Sequence, residues 1–429
     1  MPHARIRPHR PRPFARLYTP ADGRVDPESA PLKTSPHPTH STGDTLVSAA
    51  ELIQRARSIV PLMAEHAAEA ERDRKPANAV IEALREARIF DLMVPKVHGG
   101  LELDLDTFLE VGLTLAEGDA SMAWVSTFYI EHNWMLCQFP MEFQTALYRD
   151  RSHVLAPASL APTGHVEVLA EGYRLNGRWQ WATGWPHAEW VIAGANLEQT
   201  DGPPRPLFLA LPREEVEFED TWWTDGMKAT GSHDIIIRDR TVPFERSVSI
   251  LAMGSQDSPG AQHHSAPLYR TPMTPILGLA ASMPAVGQAR VGVERFRQEV
   301  GVRKTYGGRR TQASRTSIQT RLGKLTLDLD EAEGLLRKVT EEVMALRDQA
   351  TPEHRTRWIA STATAVHKSR AILAEVAEAS GASAHFESHP LQRAVRDVNT
   401  LSAHTIFDLD QRLEDYGRTL LGLEPKSLF

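Results

Sequence analysis

Leu322, Leu325, Leu329, Ala332, Leu336, Val339, Val343 and Leu346 alternate three and four residues apart. A seam this regular keeps its apolar side chains in contact only as a long helix lying against other helices. A second stripe, Trp358, Thr362, Ala365, Ser369, Ile372, Val376 and Ala379, stops at Gly381, a residue suited to a helix C-terminus. A third helix is predicted from Leu391 to about Leu420. Antiparallel helices with such seams predict a C-terminal four-helix bundle over 263–429, of the kind that self-associates.

Upstream the periodicity changes. Residues 45–150 are predicted helical. Leu46, Ala50, Ile53, Val60, Ala64 and Ala67 mark one apolar face, and Val80, Leu84 and Ala87 a second. A third helical stretch runs through "DTFLEVGLTLAEGDASMAWVSTFYIEHNWML". Residues 151–262 then show short β-rich runs such as "GYRLNGRWQWATG", "WVIAGAN" and "PLFLALP", separated by Gly, Pro and Asp turns. They predict a central β domain, a small barrel or sandwich. Residues 1–44 hold nine of the 29 prolines and are rich in Arg and His. That composition predicts a disordered tail, either a docking arm or a dispensable extension, without the ~7–15-residue apolar core of a secretory signal.

Composition narrows the functional classes. A net charge of −7 gives no general attraction for nucleic acid or an anionic membrane. The single cysteine, Cys137, excludes a disulfide framework and a multi-thiolate metal site, and points to a reducing, cytoplasmic setting. No apolar run approaches the ~18 residues of a membrane span, and "ILGLAASMPAVG" reads as a buried helix. The chain has no G-x-G-x-x-G after a strand, no P-loop, no H-E-x-x-H and no G-x-S-x-G. A nicotinamide site is therefore not evident, and no metal is expected. His263 and His264 sit in a Pro/Gly-rich loop and are expected to be solvated.

"WQWATGWPHAEW", residues 179–190, packs four tryptophans into twelve positions. By strand alternation Trp179 and Trp181 share one face. The rings either fill the β core or wall a flat ligand.

The order of lobes together with "PLQRAVRD" (Pro390, Arg393, Arg396, Asp397) resembles the acyl-CoA dehydrogenase fold. Those dehydrogenases carry a catalytic Glu shortly afterwards. Here no Glu occurs from Ser388 to Leu413, and His404 falls beside that position. The stretches "LMVPKVHGG", "AEGDASMAWVSTFYIEHNWML", "GYRLNGRWQWATGWPHAEWVIAGA", "DGMKATGSHDIIIRDRTVP", "RKTYGG" and "HPLQRAVRDVNTLSAHTIFDLDQRLEDYGRTLLGLEP" are together more similar to the oxygenase components of two-component flavin-dependent monooxygenases. That group includes hydroxylases of 4-hydroxyphenylacetate, a steroid-derived phenol and aromatic polyketides.

The resemblance implies reduced FMN or FAD supplied by a separate NAD(P)H:flavin reductase, O2, a C4a-hydroperoxide, and an aromatic or polycyclic substrate in a homotetramer. It puts the Ala182-Thr183-Gly184 turn against the isoalloxazine, with Thr183 where the family usually has Ser. It places His132 or Asn133 over the flavin near the substrate, with a satisfied core histidine as the alternative, and Trp124 among the cofactor contacts. Arg303, Ser232, Gly381 and Ser383 become candidates for the flavin phosphate, with a solvated surface charge as the alternative for Arg303. Trp185, Tyr269 and Met273 become substrate-pocket candidates. His404 becomes the acid–base residue near the flavin, held in orientation by Asp408 one helical turn on. An acyl-CoA dehydrogenase with bound FAD is the alternative enzyme, and a structural helical protein without flavin the non-enzymatic one.

Overall fold

The computed structural model describes residues 47–305 and 308–427. The predicted tail, 1–44, lies outside the described residues. The first lobe opens with α1 (Ala49–Asp73), whose N-terminus is capped by the Ser48 hydroxyl accepting from Glu51 N at 3.2 Å. Its buried face is Leu52, Ala56, Ile59, Met63, Ala67 and Ala70. The predicted column of Ala50, Ile53, Val60 and Ala64 lies on the flank instead, because the Leu/Ile/Met column offers more apolar area to bury. α2 (Asn78–Glu86) buries Val80, Ile81 and Leu84. The third predicted stretch is two helices, α3 (Leu105–Ala116) and α4 (Ala120–Leu136). Asp119 separates them by capping α4, its carboxylate accepting from Met122 N at 2.9 Å. Every residue of α4 is buried, so its polar side chains face protein on all sides. α5 (Met141–Leu147) completes the lobe.

The central lobe is one seven-stranded sheet in the order β5-β6-β2-β1-β3-β4-β7. Its strands are β1 (Ala158–Val168), β2 (Tyr173–Ala182), β3 (Trp190–Leu197), β4 (Arg205–Pro212), β5 (Glu217–Glu219), β6 (His233–Val242) and β7 (Ser247–Ser249). β1 and β3 are parallel and the other pairs antiparallel. β5 and β7 end the order, so among the described residues the strand pairing is open where a closed barrel was one expectation. The sheet has its own core, containing Leu175, Trp179, Val191, Leu209 and Ile235, while Ile192, Phe208 and Ala210 join the core of the first lobe. Burial on both sides explains why β3 and β4 are apolar at nearly every position.

Two short helices, α6 (Ile250–Ser255) and α7 (Pro259–His263), follow the sheet, and α7 ends at His263, where a Pro/Gly-rich loop was predicted. Then come α8 (Met273–Val302), α9 (Thr316–Leu346) and α10 (Pro352–Ser380). α8 has the length and composition of a membrane span, yet 89% of its apolar window is buried inside the fold. The predicted seam of α9 is buried at Leu325, Ala332, Leu336, Val339 and Val343 and half-buried at Leu322, Leu329 and Leu346. The helix predicted from 391 to 420 is broken into α11 (Pro390–Leu401) and α12 (Leu409–Leu420). Asp408 causes the break, since its side chain caps α12 by accepting from Gln411 N at 3.2 Å.

The residues of "PLQRAVRD" join all three lobes. Arg396 donates to Glu71 and to the Asp225 carbonyl. Buried Asp397 accepts from Met227 N at 2.6 Å. Arg393 Nε lies 3.5 Å from the Asp119 carboxylate. This lock holds α11, and the break that follows it, against α4 and the β lobe.

Candidate active site

Four rings stand in series across two lobes. On α4, Trp124, Phe128 and His132 follow at four-residue steps and so share one face. Trp124 and Phe128 have centroids 4.8 Å apart, and Phe128 and His132 5.4 Å. The His404 ring, from the break between α11 and α12, lies 5.7 Å from Trp124. Sequence-predicted His404, Trp124 and His132 are thus brought onto one line.

The β lobe meets this line at the Ala182-Thr183-Gly184 turn. Trp124 Nε1 donates to Thr183 Oγ1 at 3.4 Å. Thr183 Oγ1 is 3.0 Å from Ser232 Oγ, which is 2.7 Å from Thr230 Oγ1, which donates to the Met227 carbonyl at 2.9 Å. An indole can only donate and a carbonyl only accept, so the direction of this chain is fixed. Each hydroxyl passes its proton towards Met227, and Thr183 keeps a lone pair. Gly184 has φ +83°, and a Cβ there would sit 2.5 Å from the Tyr129 hydroxyl, so the turn demands glycine. Ala182 is buried in the sheet core, paired with His233.

The two histidines present opposite faces. His404 Nδ1 accepts from Ile406 N at 3.2 Å, so its neutral ring carries its proton on Nε2. Burial, with Arg412 adding to it, lowers its pKa to about 4, and the residue as a whole is half-buried. His132 Nδ1 donates to the Ala156 carbonyl at 2.6 Å, leaving Nε2 with a lone pair and no hydrogen-bond partner. Burial lowers its pKa to about 4 as well. One ring is a donor and the other an acceptor.

Several expectations are corrected. His404 is not inside a helix, and Asp408 does not orient it, because that carboxylate is taken by α12. Asn133 is saturated: it donates to the Tyr129 and Val154 carbonyls and accepts from Val154 N and Tyr148, so it has nothing left for a cofactor. Trp185 is turned into the sheet core against Phe218 and under Arg213. Tyr269 and Met273 pack in the core of the first lobe, with the Tyr269 hydroxyl donating to the Met93 carbonyl at 3.1 Å. His264 is buried rather than solvated, 2.9 Å from Gln144 Oε1. Trp179 and Trp181 do not share a face. The register of β2 on β6 slips between Trp179 and Ala182, and Trp181 takes φ +67° and stays 52% exposed. Strain of this kind in a non-glycine residue concentrates at functional sites.

Arg303, Gly381 and Ser383 form a second group. Arg303 Nη1 donates to the Ser380 carbonyl at 2.6 Å and Nη2 to Ser383 Oγ at 2.9 Å, with Glu299 3.3 Å away. Gly381 has φ +70° and open space where a Cβ would stand. Two surface clefts, of about 560 and 620 Å³, are lined by α1–α2 and by α1, α3 and α9, and contain none of these residues.

Sequence reasoning passed over Glu131. It is fully buried, and both its carboxyl oxygens lack a hydrogen-bond partner. The available signal was a carboxylate beside a histidine in a helix with no other charge.

Comparison with known proteins gives the family. The C-terminal domain of acyl-CoA dehydrogenase matches residues 279–409. A pigment production hydroxylase of Rhodococcus sp. is 31% identical over 378 residues, covering 88% of this chain and 98% of the relative. The crystal structure of the HsaA monooxygenase from M. tuberculosis aligns with a TM-score of 0.83 at 28% identity, covering 89% of this chain and 99% of that one. XiaF from Streptomyces sp., in complex with FADH2 and glycerol, aligns at 0.81 and 28% identity, covering 88% and 98%. The fold is that of the acyl-CoA dehydrogenases. The chain belongs to the oxygenase components of the two-component flavin-dependent monooxygenases.

Proposed function

We propose that this protein hydroxylates a small aromatic substrate with O2, using reduced flavin made by a separate reductase. The carrying observation is the pairing of opposite tautomers, His404 as donor and His132 as acceptor, on one line of rings beside the Thr183 turn. When bound, the reduced flavin activates O2 and delivers one oxygen atom. The residues fit that group. Thr183 offers a lone pair to an N–H, and reduced flavin carries an N–H on its central ring. The exposed Trp181 offers a flat apolar face. His404 Nε2–H supplies a donor where negative charge develops on oxygen. His132 Nε2 accepts the O–H or N–H of the substrate ring and so fixes which carbon faces the flavin.

In the acyl-CoA dehydrogenase alternative the base is often a carboxylate beside the position of His404. A neutral imidazole whose lone pair already accepts from Ile406 N cannot take that role. The oxygenase, purified without a reductase, should not consume NADH, and addition of any reductase releasing reduced flavin should start turnover.

Two finer features belong to the same proposal. The half-buried Leu322 and Leu329 of the α9 seam favour a homotetramer, or at least a dimer, which light scattering tests; a monomer that binds reduced flavin would contradict it. The single cysteine, Cys137, supports a reducing, cytoplasmic location. The Arg303 group is assigned the flavin phosphate, with no preference between FMN and FAD. Arg303→Ala is expected to weaken FMNH2 binding by ~1.5–3 kcal/mol, the scale of a charge-assisted hydrogen bond. Reduced riboflavin, which has no phosphate, should bind both forms alike. Unchanged FMNH2 affinity would place the phosphate elsewhere.

A further inference from the structure

Asp397 belongs to the lock between lobes, yet its hydrogen bond goes to one peptide of the β lobe. The loop 225–227 lies on α11 at three successive residues. Arg396 donates to the Asp225 carbonyl, and Thr400 Oγ1 donates to the Asp225 carboxylate at 3.2 Å. A Cβ at Gly226 would sit 2.2 Å from the Arg396 carbonyl oxygen, so only glycine lets loop and helix touch there. Asp397 Oδ1 then accepts from Met227 N at 2.6 Å, and Met227 takes φ +56°. A non-glycine residue stays in that region only where its surroundings hold it. The Met227 carbonyl gathers three donors: Thr230 N at 3.2 Å, Thr230 Oγ1 at 2.9 Å and Trp222 Nε1 at 2.9 Å. The Thr230 hydroxyl ends the chain that starts at Thr183. Trp222 makes an edge contact with Trp181, centroids 6.4 Å apart. The Thr230 carbonyl also accepts from Gly184 N at 2.9 Å. One carbonyl therefore stands behind both groups that this turn offers a flat ligand, the Thr183 lone pair and the Trp181 ring.

We propose that Asp397 is a positioning residue for the reduced flavin, acting through the Met227 peptide to keep the protons of the hydroxyl chain running away from Thr183. The inference deepens the hydroxylase reading above and rests on its placing of Thr183 beside the flavin. Reduced flavin presents an N–H on its central ring, and oxidised flavin presents a lone pair at the same nitrogen. While the Met227 carbonyl ends the chain, Thr183 Oγ1 is only an acceptor towards the ligand, which matches the N–H and repels the lone pair. Once that peptide is released, Thr230 no longer has to donate to it. The chain can reverse, and Thr183 can give its proton to oxidised flavin. The preference therefore depends on the direction of the chain, and Asp397 fixes that direction from the far end. No particular charge on Asp397 is needed. Burial raises its carboxyl to about 8, with Asp119 adding to the rise, and Oδ1 accepts from an N–H in the neutral and the charged form alike.

The test compares, on the full chain, the Kd for FMNH2 under argon with the Kd for FMN. Wild-type protein should favour FMNH2. In Asp397→Leu the ratio of the FMN Kd to the FMNH2 Kd should fall by roughly tenfold, the scale of one hydrogen bond. Asp397→Asn, whose side-chain carbonyl can still accept from Met227 N, should keep the ratio. Gly226→Ala breaks the same contact from the loop side and leaves Asp397, Asp119 and Arg393 in place. It should show the same fall, and it carries the test if Asp397→Leu does not fold. Thr230→Val deletes the last hydroxyl of the chain. It should lose the ratio by itself, and adding Gly226→Ala to it should remove nothing further. A ratio lost in Thr230→Val but kept in Asp397→Leu or Gly226→Ala would overturn the proposal and leave the placing of Thr183 standing. Equal weakening of both flavins in Asp397→Leu and Gly226→Ala would also overturn it, since Asp397 would then serve the fold alone. Wild-type protein that binds FMN as tightly as FMNH2 would overturn the placing of Thr183 and the inference with it.

Discussion

His404→Ala is expected to fold, to bind reduced flavin, and to release H2O2 in place of hydroxylated product. Product formation should fall by the ~10²–10⁴-fold that accompanies loss of a positioned acid–base group. The reason is local. The backbone N–H of Ile406 occupies Nδ1, which forces the proton of the neutral ring onto Nε2. Burial keeps the ring neutral across the physiological range, so it donates a hydrogen bond without bringing a charge into an apolar site. His404→Gln, which keeps a donor, should recover part of the coupling. Full coupling of NADH to product in His404→Ala would reject the assignment. Because Trp124 lies against the His404 ring, reduced-flavin affinity should be measured alongside.

The largest stability effect is expected at Arg393. Its guanidinium favours the charged form of two buried carboxyls, Asp119 and Asp397; burial raises both, to about 6 and about 8, and Asp119 adds to the rise at Asp397. Arg393→Leu leaves that pair uncompensated and should cost ~3–5 kcal/mol in urea denaturation, the range found when one partner of a buried ion pair is removed. In an Asp397→Asn background the same substitution should cost clearly less, since Asp119 then has no second carboxyl beside it. Equal losses in both backgrounds would mean that Arg393 acts through packing alone. The lock also places the His404 break, so Arg393→Leu should lower hydroxylation more than it lowers flavin binding.

Much of this was legible before any coordinates. The seam of α9, the stripe of α10 and the change to short β-rich runs are periodic features, and periodicity survives without tertiary context. The residues of the site came from resemblance, and the fold brings His404, Trp124, His132, Thr183 and Ser232 together. What was missed depends on single-residue events that periodicity does not carry. A one-residue register slip turned Trp181 to the surface. A capping aspartate broke a helix whose apolar pattern runs on unbroken, which moved His404 from a helix face to a turn. "D-x-x-Q" at 408–411 was the available signal, the side chain of Asp408 accepting from Gln411 N. Asn133 was misassigned because the main-chain groups that saturate it, around Val154, come from a segment no helical pattern foretells. Glu131 was invisible because its significance lies in lacking partners, a property of the packed interior.

The central claim, that this protein holds reduced flavin so that O2 reacts there productively, is tested most directly by rapid mixing. Protein loaded with FMNH2 under argon is mixed with O2 and followed spectrally through reoxidation. The account predicts a third, long-lived absorbing species between the reduced and oxidised spectra, shortened in His404→Ala. Reoxidation in one phase at the rate of free FMNH2, with H2O2 equal to the flavin consumed, would contradict it.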